Sequence, residues 1–187
     1  MSDFPLILVA ALLLVTIAGG YLYIRRRRRR AKIAEILSGE NVLAHWTYAP
    51  DEWKKAVEEE FTWAKSKDTI GHVYISPTTV YVKSESGDRL IDLAGDGKVV
   101  THASYRGTEG SPLKIRVRWK IIKRYQDKPD EVKYFKEDYR IPVPLRYSEE
   151  AQRVAAFFTA RLQDNLAAYT NVVPEDEPIS LFGKDSF

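Results

Sequence analysis

Three histidines, His45, His72 and His102, are the side chains best suited to acid–base or metal chemistry, because the chain has no cysteine. Each lies on a different predicted strand, with no second histidine or carboxylate beside it at metal-ligand spacing. A zinc site would need residues distant in sequence to converge, so we expect structural or surface histidines. No HExxH, GxSxG, Walker A or GxGxxG motif is present. The sequence therefore predicts no catalytic residue, metal or cofactor, and an enzyme with a site assembled from distant residues stays an alternative.

Four cations alternate along one predicted strand and could contact an anion. They are Lys114, Arg116, Arg118 and Lys120. At strand spacing they line about 20 Å of one face. This face could contact an anionic bilayer or an acidic protein. The competing interpretation is a solvated outer face that Asp138 and other acids on the neighbouring strand partly neutralise.

A run of six arginines is the second candidate for contact with an anionic surface. Its members are Arg25, Arg26, Arg27, Arg28, Arg29 and Arg30. Polybasic segments beside a membrane attract anionic lipid. The alternative is that the run acts only as a topology signal and an interfacial anchor.

The stretch Phe4–Ile24 has no charged side chain and directly precedes the arginines. Its length is typical of a single transmembrane helix, and a signal peptide would carry its positive charge before the apolar region. Because arginine-rich flanks stay in the cytoplasm, we expect residues 1–3 outside and the rest of the chain inside. The sequence predicts a single-pass cell-membrane protein with a juxtamembrane segment at residues 25–39, a cytosolic domain at 40–173 and a tail at 174–187.

Charge is unevenly distributed along the chain. The whole sequence has 29 basic and 26 acidic residues, a net charge of +3. Without the six arginines and Asp3, residues 31–187 have 23 basic and 25 acidic residues, a net charge of −2. A nucleic-acid-binding domain would carry a basic bias of its own. The predicted partners are therefore a membrane and a protein, with anionic lipid as an alternative and no nucleic acid.

The hydrophobic pattern predicts an α+β domain. A helix begins at Pro50, with Asp51 and Glu52 behind it, and runs to about Lys65. Patterns typical of short strands follow as far as Val143, and an amphipathic helix is predicted from Ser148 to about Tyr169. This order predicts an antiparallel sheet or barrel that the C-terminal helix closes.

The predicted strand that follows the alternating cations changes its parity. Val132 and Tyr134 are apolar at even positions, whereas Tyr139, Ile141 and Val143 are apolar at odd positions. A shift of one residue moves every side chain to the other face of a sheet. We therefore expect a β-bulge between Phe135 and Asp138, which would place Trp119 opposite Tyr139.

The run His72–Lys83, HVYISPTTVYVK, resembles the second and third strands of bacterial pleckstrin-homology-like domains. The order of several antiparallel strands and one C-terminal helix is similar to the same class. The resemblance implies a small barrel closed by that helix. An ordinary α+β domain with an open antiparallel sheet is the alternative.

Function follows from these features only in outline. The sequence predicts a non-catalytic binding or scaffolding domain that holds a protein partner at a membrane surface. A lipid-sensing domain that uses the basic strand face is the alternative. The tail segment Ile179–Phe182 and the terminal Phe187 are a further hypothesis, a short docking motif.

Overall fold

The computed structural model describes residues 4–65, 67–108, 110–164 and 166–174, without the side chains of residues 4–12. The chain divides into two compact units, Met1–Glu40 and Asn41–Phe187. The first unit holds one helix, and the second holds every described strand. The predicted N-terminal segment 1–3 and the docking motif in the tail lie outside the described residues.

The first unit consists of helix α1, which runs over Phe4–Leu37. Its C-terminal end is capped by Ser38, whose Oγ atom donates a hydrogen bond to the carbonyl oxygen of Glu35 at 2.7 Å. Gly39 follows with a φ of +82°, a conformation that glycine adopts without strain at a helix C-terminus. The six arginines are thus part of a continuous helix, and their side chains are exposed.

The membrane predictions are overturned by α1. Among the described residues, no helix contains an 18-residue stretch that is both apolar enough and sufficiently uncharged to cross a bilayer. The described side chains of α1 begin at Leu13, so each such stretch of them includes Arg25–Arg30. This finding contradicts the transmembrane helix, the integral membrane partner and the single-pass localisation with a cytoplasmic domain.

The described part of the second unit contains seven strands and three helices. In chain order they are β1 (Ala44–Tyr48), α2 (Pro50–Glu59), β2 (Gly71–Ile75), β3 (Thr79–Ser84), β4 (Asp88–Asp92), β5 (Val99–Ser104), β6 (Leu113–Lys123), β7 (Glu131–Ile141), α3 (Ser148–Asp164) and α4 (Leu166–Thr170). A 3-10 turn at Leu145–Tyr147 leads into α3. The predicted α+β class is confirmed. The first helix begins at Pro50 as expected, but it ends at Glu59, earlier than Lys65.

The strands form two antiparallel sheets, with the orders β1-β2-β3-β4 and β5-β6-β7. In the described ranges no strand ladder joins the two sheets, so the closed barrel and the pleckstrin-homology-like closure are wrong. The alternative of an α+β domain with one open antiparallel sheet is nearer to the structure, which has two such sheets. The Tyr48 OH group of β1 donates a hydrogen bond to the carbonyl oxygen of Pro142, the residue after β7, at 2.5 Å.

The core lies between the two sheets, α2 and α3. Alternate residues of β6 are buried there, as the period-two pattern predicts. The apolar stripe of α3, Ala151, Val154 and Phe158, is buried in the same core. The largest fully buried side chains include Trp46, Trp53, Ile75, Leu93, Leu113, Ile115 and Ile141. This packing leaves the opposite face of each sheet for other contacts.

The predicted β-bulge in β7 is wrong. The ladder between β6 and β7 is continuous from Leu113–Ile141 to Lys123–Glu131, and Trp119 pairs with Phe135 rather than Tyr139. No change of register is needed, because the first residues of β7 lie beyond the core and expose their apolar side chains. A register shift occurs instead in β5, between Val100 and His102.

Candidate functional site

The outer face of the β6–β7 ladder carries the four predicted cations of β6. Their direct partners on β7 add two more cations and one carboxylate. The four pairs are Lys114–Arg140, Arg116–Asp138, Arg118–Lys136 and Lys120–Tyr134. We call these eight residues the basic face. Like charges directly opposite each other destabilise a sheet, so two of these four pairs are unfavourable in the isolated domain.

The middle of the basic face is partly structural. Arg116 donates two hydrogen bonds to Asp138, at 2.7 and 3.2 Å, and Arg118 is buried. Lys120 Nζ donates to Asn171 Oδ1 at 2.5 Å, just beyond α4. The residue opposite Arg118 on β5, Val99, packs against a small apolar cluster formed by α3, α4 and the residues that follow. The solvated face expected from the sequence is therefore partly covered.

The end of the basic face nearest β5 and α2 concentrates positive charge. Burial lowers the pKa of Lys114, and the charges of Arg140 and Arg106 lower it further. The carboxylates of Asp138 and Glu60 oppose these shifts, and Glu60 Oε1 lies 3.8 Å from Arg140 Nη1. Burial raises the pKa of Glu60, although Arg140 opposes that shift. Crowded cations of this kind favour an anion close to them.

The far end of the same ladder extends beyond the sheet. Strand β5 pairs with β6 only over Lys114–Arg118, so residues 119–123 and 131–135 pair with each other alone. We call these two segments and their connecting loop the β6–β7 ribbon. Six of its large apolar side chains are 37–47% exposed: Ile121, Ile122, Tyr125, Val132, Tyr134 and Phe135.

The root of the ribbon is held in place by aromatic contacts. Trp119 stacks on Phe135, with ring centroids 5.4 Å apart and planes 11° from parallel. Lys98 Nζ lies 4.9 Å from the centroid of the Trp119 ring, a cation–π contact. In the loop, Tyr125 OH donates to Glu131 Oε2 at 3.1 Å. The ribbon is thus an ordered hairpin whose apolar side chains face solvent.

The histidines occupy two places. His45 and His72 meet on the face of the first sheet that points away from the core, with His45 Nε2 3.3 Å from His72 Nδ1. His102 lies apart on β5, where its Nε2 atom is 3.1 Å from Ser104 Oγ. Burial lowers the pKa of His45, and the nearby His72 lowers it further. Burial also lowers the pKa of His72, and the charge of Lys83 adds to the effect.

Sequence reasoning missed the meeting of His45 and His72. Their separation of 27 residues has no motif, and only the register of β1 against β2 brings them together. The alternation of buried and exposed residues in both strands indicates that each histidine lies on an outward face. The alternation does not indicate that these two strands pair with each other.

A cavity of about 100 Å³ lies between α3, α4 and the loops around Pro77 and Lys98. Its described lining has no histidine, carboxylate or hydroxyl side chain that could transfer a proton. Within the described residues, no group of three or more histidine or acidic side chains could hold a metal ion. The enzyme alternative stays a hypothesis.

In comparisons with known proteins, no family model, curated protein or solved structure matches the chain. The arginines Arg25–Arg30 are on α1, in the other compact unit, and their contact with an anionic surface stays a prediction.

Proposed function

We propose that the second unit is a protein-binding domain that holds an acidic partner on the β6–β7 ribbon and the adjoining basic face. The observation that carries this proposal is the ribbon itself. It exposes six large apolar side chains on a hairpin that projects beyond its sheet. Exposed apolar patches of this kind mark interaction sites, and a lone two-stranded hairpin gains stability when another surface covers it.

The charge beside the ribbon defines the chemistry of the partner. The basic face holds six cations and one carboxylate, Asp138, over four cross-strand pairs. An acidic surface would offset the like charges of Lys114 and Arg140 and would be steered towards this face during association. The apolar side chains of the ribbon would then form the desolvated centre of the interface, and the cations of the basic face would form its polar rim.

The loop of the ribbon favours a protein over a lipid surface. Asp127 and Asp130 lie at its tip, and Glu131 follows them. Arg124 and Lys128 lie in the same loop, so an anionic bilayer would attract these cations but repel the carboxylates, whereas a protein surface can offer groups of either sign. On a protein partner the same carboxylates would remain at the edge of the interface, in water.

The test is an affinity capture that compares three forms of the full chain. The forms are wild type, the double variant Ile122→Ser/Val132→Ser, and the control Leu145→Ser, which removes an exposed leucine (57%) outside the ribbon. We expect an acidic protein that binds wild type and the control, is lost from the double variant, and is released by raised salt. Identical sets of bound proteins from the three forms would contradict the proposal.

A second arm distinguishes a lipid from a protein. Wild type and the double variant are mixed with vesicles of phosphatidylcholine, with and without phosphatidylserine, and floated on a density gradient. Both forms keep Arg25–Arg30, so we expect wild type and the double variant to float to the same extent with each vesicle. Flotation of wild type alone, dependent on phosphatidylserine, would replace the acidic protein with an anionic bilayer.

A further inference from the structure

His45 and His72 form a close pair of imidazoles on the outer face of the first sheet, with two ring nitrogens at hydrogen-bond distance. In the β1–β2 ladder, His45 pairs with Tyr74, and Thr47 pairs with His72. The two histidines are therefore diagonal neighbours on one face. His45 Nε2 lies 3.3 Å from His72 Nδ1, and Thr47 Oγ1 lies 3.4 Å from the same Nδ1 atom.

The separation of the two nitrogens matches tetrahedral coordination. With zinc–nitrogen bonds of about 2.0–2.1 Å, two ligands at a tetrahedral angle lie about 3.3–3.4 Å apart. A right angle, as in octahedral coordination, would bring them to about 2.9 Å at the same bond length. Because the two nitrogens lie at hydrogen-bond distance, a bound ion would replace the proton that one ring donates to the other, and that ring would then carry its proton on its other nitrogen.

The two imidazoles are positioned by rigid elements. The His45 ring stacks on the Tyr74 ring, with centroids 4.1 Å apart and planes 3° from parallel. On the opposite face of the same strands, Trp46 and Val73 are completely buried in the core. Ligands on packed strands are held more precisely than ligands on loops, so little ordering is needed on binding.

We propose that His45 and His72 form a surface site for a divalent transition metal, with Zn²⁺ as the preferred ion. In the described residues no third histidine or acidic side chain completes the coordination. Because His45 is exposed, the remaining positions are open to water or to a ligand from a bound partner. The site lies on the first sheet, whereas the ribbon belongs to the second, so the two proposals are independent.

The neighbouring charges limit the affinity. Lys83 pairs directly with His72 across the β2–β3 ladder, and Asp88 pairs with Lys83 on β4. The ammonium group opposes a second cation, and the carboxylate offsets part of that effect. With two protein ligands and this balance, we expect weaker binding than at a closed four-ligand site.

The test is a calorimetric titration of the full chain with Zn²⁺ alone. The forms compared are wild type, His45→Ala, His72→Ala and the matched control His102→Ala. The control removes the histidine that lies on β5, in the other sheet. We expect one Zn²⁺ per chain in wild type and in the control. Loss of either proposed ligand should weaken binding at least about tenfold.

Nitrogen-detected NMR of the histidine side chains in the wild type supplies a readout that does not depend on variants. Zn²⁺ should shift the His45 Nε2 and His72 Nδ1 resonances and leave those of His102 in place. The proposal is overturned if wild type does not bind Zn²⁺, if all four forms bind it equally, or if the His102 resonances shift instead.

Discussion

Gly71 is the position where a single methyl group should matter most. A Cβ atom built on this glycine would lie 1.9 Å from Cε3 of Trp53, a fully buried ring that fixes α2 against β2. We therefore expect Gly71→Ala to lower the free energy of unfolding by about 1–3 kcal/mol, the usual cost of overpacking. Urea unfolding followed by tryptophan fluorescence measures the loss.

The matched control is Gly87→Ala. A Cβ atom at Gly87 has no heavy atom within 4 Å, and the backbone there has no positive φ. Its unfolding midpoint should stay close to that of wild type. Equal midpoints for the two variants would show that the Trp53 ring does not lie against β2.

Thr101 offers a substitution in the opposite direction. It sits at the register shift of β5, it is buried, and its Oγ1 atom has no hydrogen-bond partner. Because an unsatisfied buried hydroxyl is costly, Thr101→Val should raise the free energy of unfolding by up to about 1 kcal/mol. The same urea titration tests this. A clear loss of stability would mean that the hydroxyl has a partner.

Asp68 should make stability depend on pH in the acid range. Its Oδ2 atom accepts hydrogen bonds from the backbone N–H of Ser86, at 3.0 Å, and from the Ser86 hydroxyl. The Ser86 hydroxyl lowers the pKa of this carboxyl most, and burial opposes the shift. The stabilisation is therefore present above the unfolded-state pKa, about 3.9, and is lost as pH falls through the lower folded-state value.

Asp68→Asn should reduce stability at neutral pH and flatten the decline below about pH 4. Thermal unfolding across a pH series measures both effects. Asp127→Asn, on the exposed ribbon loop, is the control and should reproduce the wild-type profile. If Asp68→Asn also follows the wild-type profile, the carboxylate is not held by Ser86 in solution.

At the scale of elements, β6 divides into a structural half and a projecting half. Ile115 is buried in the core, whereas Ile122 on the ribbon is 44% exposed. Ile115→Ala should cost about 2–5 kcal/mol, but Ile122→Ser should cost less than about 1 kcal/mol. Chemical denaturation distinguishes these values, and comparable losses would mean that the ribbon folds back onto the core.

The ribbon also explains which part of β7 could be predicted from sequence. The C-terminal half of β7 faces the core, and there alternation correctly places Tyr139 and Ile141 on the inward face. The same rule fails at Val132 and Tyr134. It assumes that apolar side chains seek one buried face, and this hairpin end has no such face. The expected β-bulge follows from that assumption, because only a bulge would turn Val132 and Tyr134 to the same face as Tyr139 and Ile141.

At the scale of the whole molecule, local pattern predicts the elements but not their assembly. The helix start at Pro50 and the α3 stripe follow from rules that act within a few residues. The division into two open sheets and the meeting of His45 with His72 depend on pairings between distant strands. The basic face was visible as an alternation, yet its partial cover by the residues after α4 was not.

The account rests on the claim that the β6–β7 ribbon is the surface that binds a partner. The most direct measurement is photo-crosslinking in cells, with a photoreactive phenylalanine analogue at Tyr134 in one form of the chain and at Arg153 in another. Tyr134 is on the ribbon, whereas Arg153 is an exposed residue of α3. We predict a discrete adduct with one acidic protein from position 134 and none from 153. No adduct from position 134, or the same adduct from both, would contradict the account.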